Sequence, residues 1–179
     1  MKPVNLITAI CENNGIGIKG DLPWRLKNEM AYFTRMTSQT KNPELQNAVL
    51  MGRKTWDSVP PKYKPFSNRI NAVVSKHKTD FPDGILVYKS VAEAIKNIQS
   101  NDNVESIWII GGYGAYKEAL DKKLCDKLFI TRILQEFECD AFFPEFSLND
   151  YILIQEADIS SEVQEEKGIR YEFKVYQKK

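Results

Sequence analysis

Histidine and cysteine are scarce in this chain: His77 stands alone, and Cys11, Cys125 and Cys139 are scattered without a CxxC pair. A single imidazole excludes histidine-based triads and multi-histidine metal centres. An odd, dispersed cysteine set suggests neither a disulfide framework nor a zinc site, so the thiols read as small hydrophobes of a reduced, cytoplasmic protein. No apolar run approaches the roughly 20 residues of a spanning helix, and no basic segment followed by an apolar stretch opens the chain. An excess of one charge is missing too. The 25 lysines and arginines face 24 aspartates and glutamates, for a net charge of +1. No long-range field draws this protein to nucleic acid or an anionic membrane, so any anion site must be local. No metal, nucleic-acid or membrane partner is expected.

What is present is ordinary globular material. A chain of 179 residues, 42% hydrophobic and 27% charged, suits one domain that buries about 70% of its extended surface. Residues 4–11 (VNLITAIC) read as a strand buried on both faces. A loop over 12–23 carries Gly15, Gly17 and Gly20, and helical spacing follows over 24–36. Residues 48–51, 69–75, 85–88 and 106–110 read as short strands. Between the last two, Ser90 and Glu93 make a capping box ahead of an apolar stripe of Val91, Ala94, Ile95 and Ile98. A further helix is expected over 114–124, then strands over 127–134, 151–156 and 170–176. The fold class is therefore α/β: one domain with a central mixed, mostly parallel sheet, C-terminal antiparallel strands and flanking helices.

Four features could carry chemistry. Leu26, Glu29, Met30 and Phe33 share one helical face, placing a carboxylate among apolar side chains. Burial penalises the charged form, so such an acid suits a cationic or amidine-like ligand; a boundary glutamate reaching back to water is the alternative. Gly111-Gly112-Tyr113-Gly114 follows an apolar strand and precedes a helix, where backbone N–H groups can hold a phosphate, or where a tight turn does nothing more. Basic clusters, Arg53-Lys54 and Lys76-His77-Lys78, follow two strands and mark either an anion site or solvated loop charge. His77 on this reading is one more solvent-facing base. Arg69 opens an otherwise apolar strand, either to grip a carboxylate with its fork or to guard a sheet edge. Together they describe a dinucleotide site beside a small polar heterocycle site.

The segments Asn5-Leu6-Ile7-Thr8-Ala9, Gly15-Ile16-Gly17, Gly20-Asp21-Leu22-Pro23-Trp24, Met51-Gly52-Arg53-Lys54-Thr55-Trp56, Arg69-Ile70-Asn71, Trp108-Ile109-Ile110-Gly111-Gly112, Thr131-Arg132 and Phe142-Phe143-Pro144 resemble dihydrofolate reductase over essentially the whole chain. Glu29 and the segment Val163-Gln164-Glu165-Glu166-Lys167-Gly168-Ile169 resemble its animal branch, in a monofunctional form. The resemblance implies NADPH-dependent reduction of 7,8-dihydrofolate to tetrahydrofolate, in support of one-carbon metabolism. It implies catalytic roles for Glu29, Leu22 and Thr131. The folate cleft would be walled by Ile7, Thr8, Met30, Phe33, Thr34, Val59, Pro60, Phe66, Ile110 and Tyr116, with Arg69 on the α-carboxylate of the glutamate tail.

For the cofactor, the resemblance implies contacts from Ala9, Gly15, Ile16, Gly17, Ile18, Lys19, Gly20 and Asp21 around the nicotinamide. Arg53, Lys54, Thr55, Ser75, Lys76, His77 and Lys89, with Gly111, Gly112, Tyr113, Gly114, Ala115, Tyr116, Lys117 and Glu118, would meet the phosphates and adenosine. A cis Gly111–Gly112 peptide, an adenosine-binding subdomain over about 40–90, binding of antifolates such as methotrexate, and a cytoplasmic monomer are implied as well. Arg25-Leu26, Met30, Thr34, Phe66, Lys76 and Tyr113 depart from the usual family residues and bear on inhibitor selectivity and cofactor affinity. A riboflavin-pathway reductase of the same fold and a non-catalytic folate- or dinucleotide-binding module are the alternatives.

Overall fold

β1 (Val4–Ile10) runs through the middle of the main sheet, and six of its seven residues are buried, which is why it is apolar almost throughout. The computed structural model describes residues 1–179. After β1 the elements are β2 (Gly15–Gly17), α1 (Lys27–Ser38), β3 (Gln46–Gly52), α2 (Arg53–Ser58), β4 (Arg69–Val74), β5 (Leu86–Tyr88), α3 (Val91–Ile98), β6 (Val104–Gly111) and α4 (Tyr113–Asp121). The C-terminal third holds β7 (Lys127–Ile133), β8 (Ala141–Phe142), β9 (Tyr151–Ile154), β10 (Gln164–Glu166) and β11 (Ile169–Lys178).

The nine-stranded sheet has the order β10-β11-β7-β1-β6-β3-β4-β5, with β9 also paired to β11. The six strands from β7 to β5 in this order are mutually parallel, and β11 then pairs antiparallel with β7, β9 and β10. The expected mixed sheet is thus the observed one. Alternation along β1 divides its side chains between two cores. Leu6 and Ile10 join a 22-residue cluster with α3 and α4, whereas Ile7 joins a 10-residue cluster with Tyr32 of α1 and Trp56 of α2. Tyr32 also stacks on Phe173 of β11 at 4.0 Å, tying α1 to the antiparallel end. No helix is long and apolar enough to cross a membrane.

Several boundaries differ from the sequence reading. α1 starts at Lys27, because Trp24 and Leu26 are drawn into a separate cluster with Cys11, Ile133 and Tyr171; Leu26 is an extended N-cap (φ −122°) and no part of the helical face. Met30, expected in that face, is 46% exposed and lies at the rim of a cleft rather than in the core. Residues 53–58 form a helix where only a basic strand end was expected. At six residues it is too short to show a period, and its Arg53–Asp57 pair at 2.7 Å links one turn to the next. β2 and β8 pair with each other inside segments that read as loop. The Ser90 cap is present, its hydroxyl accepting the Glu93 N–H at 3.0 Å, but the Glu93 carboxylate accepts the Lys89 N–H rather than that of Ser90. Gly111–Gly112 is cis.

Candidate active site

All parallel strands end on one edge of the sheet, the place where ligands of α/β sheets collect. On the α1 side of that edge a cleft of about 540 Å³ is lined by Leu22, Trp24, Arg25, Leu26, Lys27, Glu29, Met30 and Lys167. Glu29, in the first turn of α1, is only 7% exposed. Burial pushes its carboxyl up to about 7; the nearby Thr131 hydroxyl opposes the rise and the charge of Glu166 adds to it. Thr131 lies on β7, and its buried Oγ1 makes no hydrogen bond of ordinary geometry within the protein. The buried indole N–H of Trp24 also lacks a protein partner. Buried donors are rarely left unpaired, so this corner is built for a polar ligand.

The rest of the expected folate wall is distributed around the α1–sheet interface. Phe33, Phe66 and Ile110 pack partly buried against the cluster that contains Ile7, with Phe33 and Phe66 edge to face at 6.4 Å. Tyr116 donates its phenol hydrogen to the Ile7 carbonyl at 2.8 Å, which anchors α4 beneath β1. Thr8 is buried beside it, and burial raises the Tyr116 hydroxyl while the Thr8 contact opposes that rise. Thr34 is exposed on α1, and Val59 and Pro60 follow the end of α2. Arg69 Nη1 donates to Thr37 Oγ1 at 2.9 Å and its Nε to the Ser67 carbonyl at 2.9 Å, while the guanidinium lies 5.1 Å from the Phe66 ring centre. Its charge is half-buried and unmatched by any carboxylate of the chain, and burial lowers its basicity. A guanidinium pre-aligned in this way is suited to a carboxylate ligand.

On the other side of the edge, a second cleft of about 640 Å³ is lined by Gly52, Lys54, Val74, Lys76, Lys89, Val91, Gly114, Ala115, Lys117, Glu118, Asp121 and Lys122. Lys117 pairs with Asp121 at 2.9 Å and Lys122 with Glu118 at 3.0 Å, so Lys54, Lys76 and Lys89 remain without an acidic partner. The Gly111 turn leads into Gly114 and Ala115, which line this cleft. Gly111 has φ +145°, and Cβ atoms at Gly111 and Gly112 would stand 3.1 and 3.0 Å from Thr55 Oγ1, so the backbone just ahead of α4 hugs Thr55 of α2. Close backbone, a helix N-terminus and unmatched lysines together fit a pyrophosphate group. Ser75 is buried behind this wall, Lys76 and His77 are exposed beside it, and Arg53 is engaged by Asp57. Glu118 is committed to the fold: its carboxylate accepts the Val91 and Ala92 N–H groups at 3.0 and 2.9 Å, capping α3.

The glycine loop leads from β1 to the first cleft, which it reaches at Leu22. Its first half is tied down, with Asp140 N–H donating to Gly17 at 3.0 Å and Lys19 N–H to Asp140 Oδ2 at 3.0 Å. Gly15 lies over the Cys11–Cys139 pair (Sγ–Sγ 4.0 Å), where a Cβ would come within 2.2 Å of Cys139 Sγ. Ile16, Gly17 and Ile18 are half-buried, Lys19, Gly20 and Asp21 are exposed, and Leu22 points into the Glu29 cleft; Ala9 is half-buried at the end of β1. The sequence reading passed over Trp24, Lys27 and Lys167 at the first cleft and Lys122 at the second. The three lysines are exposed on loops and helix ends and so leave no periodic signal, and Trp24 is buried just ahead of α1, outside any helical period.

The dihydrofolate reductase family profile matches residues 3–178. The chain is 45% identical to the dihydrofolate reductase of Heliothis virescens over 179 residues, covering 98% of this chain and 97% of that one. It is 47% identical to that of Sus scrofa over 184 residues, covering 99% of each. The solved Schistosoma mansoni dihydrofolate reductase superposes with a TM-score of 0.86 at 36% identity, covering 99% of both chains. A buried carboxyl beside an open cleft, a tight glycine turn near unpaired lysines, and likeness along the full length to insect and vertebrate enzymes lead to one assignment: the chain belongs to the dihydrofolate reductase family, in its eukaryotic form.

Proposed function

We propose that this chain catalyses its family's reaction, reduction of 7,8-dihydrofolate to tetrahydrofolate, with Glu29 as the one ionisable group at the pterin. Bound NADPH supplies the hydride that reaches C6 of the pterin, and N5 gains a proton from water. Glu29 accepts hydrogen bonds from the 2-amino group and N3 of the pterin and orients the ring, with Thr131 behind it. Its midpoint of about 7 keeps both forms accessible near neutral pH: the carboxylate accepts from the pterin, and the protonated form favours arrival of the proton at N5, so the rate falls as pH rises past 7. Leu22 and the loop behind it cover the cleft, and exclusion of water strengthens the field of the carboxyl. Ile7, Thr8, Met30, Phe33, Thr34, Val59, Pro60, Phe66, Ile110 and Tyr116 wall the substrate, and Arg69 takes the glutamate tail. Antifolates occupy the same cleft.

For NADPH, Ala9 and residues 15–21 flank the nicotinamide end, and the 111–118 turn with Lys54 and Thr55 holds the pyrophosphate. Arg53, Ser75, Lys76, His77 and Lys89 lie at the adenosine end, within the subdomain of about 40–90. All three thiols are free, as a reducing cytoplasm would keep them, and one chain supplies every site residue, so a monomer suffices. The observation that carries the reading is Glu29: a carboxyl 7% exposed that opens on the cleft next to the lysine-lined one. Mixing the protein with NADPH and dihydrofolate is expected to bleach NADPH absorbance, and methotrexate to stop it. Absence of bleaching with dihydrofolate overturns the proposal.

Cofactor choice has its own test. Arg53→Ala is expected to narrow the NADPH-over-NADH preference in kcat/KM by roughly tenfold, the size of one lost charge-assisted hydrogen bond. The existing Asp57 pair limits the loss, since Arg53 is already partly neutralised. An unchanged ratio would assign the 2′-phosphate to Lys54 and Lys76 instead.

A further inference from the structure

We propose that Glu166, on β10 and remote in sequence from Glu29, is a positioning residue for the reaction: it seats the first turn of α1 and sets a second negative charge beside Glu29. The inference rests on Glu29 being the ionisable group at the pterin.

α1 begins without a capping side chain of its own, because Leu26 occupies the N-cap. Glu166 supplies the missing acceptor from across the fold. Its Oε1 accepts the N–H of Asn28 at 2.9 Å and of Glu29 at 3.2 Å, and its Oε2 accepts the Asn28 N–H at 3.1 Å. Tyr171, on β11, donates its phenol hydrogen to the same Oε1 at 2.6 Å, and Tyr171 itself is 1% exposed. The β10–β11 hairpin, with Glu166 opposite Ile169, therefore fixes where the helix starts. A carboxylate at a helix N-terminus also meets the positive end of the helix dipole. Because the Glu29 N–H is one of the groups held, a shift of Glu166 moves the backbone of Glu29 directly.

The charge matters as much as the seat. Burial alone would raise the Glu166 carboxyl, but hydrogen bonds from Tyr171, Asn28, Glu29 and Lys27 outweigh it and hold the group below the ordinary range. Glu166 thus stays ionised where Glu29 titrates, and its field favours the protonated form of Glu29. The other groups around Glu29 are Tyr32 of α1, Thr131 of β7, Tyr116 of α4 and Tyr171 of β11, with Arg25, Lys27 and Lys167 exposed around the cleft. The tyrosines are all raised by burial and remain neutral, and the three cations are screened by solvent. Glu166 is the one anion of the set.

Glu166→Gln keeps an Oε1 acceptor for Asn28, Glu29 and Tyr171 and removes the charge, whereas Glu166→Ala removes both. Pre-steady-state hydride transfer and the KM for dihydrofolate are measured from pH 5 to 9 in both variants and in Glu29→Gln. For Glu166→Gln we expect KM within about twofold of wild type and a decline that begins at lower pH, leaving the rate roughly threefold to tenfold low at pH 8 and near wild type at pH 6. For Glu166→Ala the KM rises as well. A ¹³C carboxyl titration of Glu29 in Glu166→Gln is expected to show a midpoint below that of wild type. A Glu166→Gln profile and midpoint that superimpose on wild type overturn the role of Glu166 while Glu29 stands. An unaltered profile in Glu29→Gln overturns the Glu29 reading and this inference with it.

Discussion

Replacing Glu29 with glutamine is expected to slow hydride transfer at pH 7 by roughly a hundredfold or more and, in the same molecule, to make the fold more stable. The two effects share one cause. The folded state raises this carboxyl from 4.5 to about 7, so it binds a proton more tightly than the unfolded chain does. That contribution to stability is complete below pH 4.5 and is lost as pH rises towards 7. Above pH 7 wild type carries the whole burden of a buried carboxylate, on the order of 3 kcal/mol. Glutamine has the same shape and no charge to bury. The Tm advantage of the variant should therefore be near zero at pH 4.5, grow up to pH 7 and level off at roughly 6–12 °C. Single-turnover hydride transfer and Tm against pH in both proteins check the two halves. Wild-type-like hydride transfer would remove Glu29 from the reaction, and a Tm difference independent of pH would show that its carboxyl is not held in the protonated form.

The second large effect is expected at Arg69. Arg69→Leu should raise the KM for dihydrofolate by roughly 50- to 100-fold, the loss of a half-buried two-point ion pair. It should leave the KM for a reduced pterin without a glutamate tail within about twofold, and kcat nearly unchanged, because the tail binds equally in ground and transition states. The fold should tolerate the change. Thr37 Oγ1 still donates to the Phe33 carbonyl at 2.8 Å, and leucine can rest on Phe66 where the guanidinium now lies. Equal losses for both substrates would mean that Arg69 shapes the cleft without gripping the tail.

The legible parts of this protein are those where one physical demand acts on neighbouring residues. Burial on both faces made β1 apolar almost throughout and could be seen without a structure. The stripe of α3 and its Ser90 cap were equally plain, since both lie within one short segment. α2 was hidden because six residues hold fewer than two turns, and β2 and β8 because each is a strand only through the other. Glu29 was suspected for a face that included Leu26, yet Leu26 lies outside the helix and Met30 is exposed. Its neighbours Thr131 of β7 and Glu166 of β10 come from the far end of the chain, which no helical spacing encodes.

Sequence by itself determined the α/β class, the near-neutral surface that confines anions to local sites, the family, and the residue types available for chemistry. Only the tertiary structure decided how those residues act. It left Lys54, Lys76 and Lys89 without acidic partners while matching Lys117 and Lys122. It committed Glu118 to a helix end and brought Glu166 to the start of α1. Hydrophobic pattern is local and repeats along the chain, so it can be read in order. Charge and hydrogen-bond pairing depend on distance in space, which is set only when β10 and β11 close the sheet across from α1.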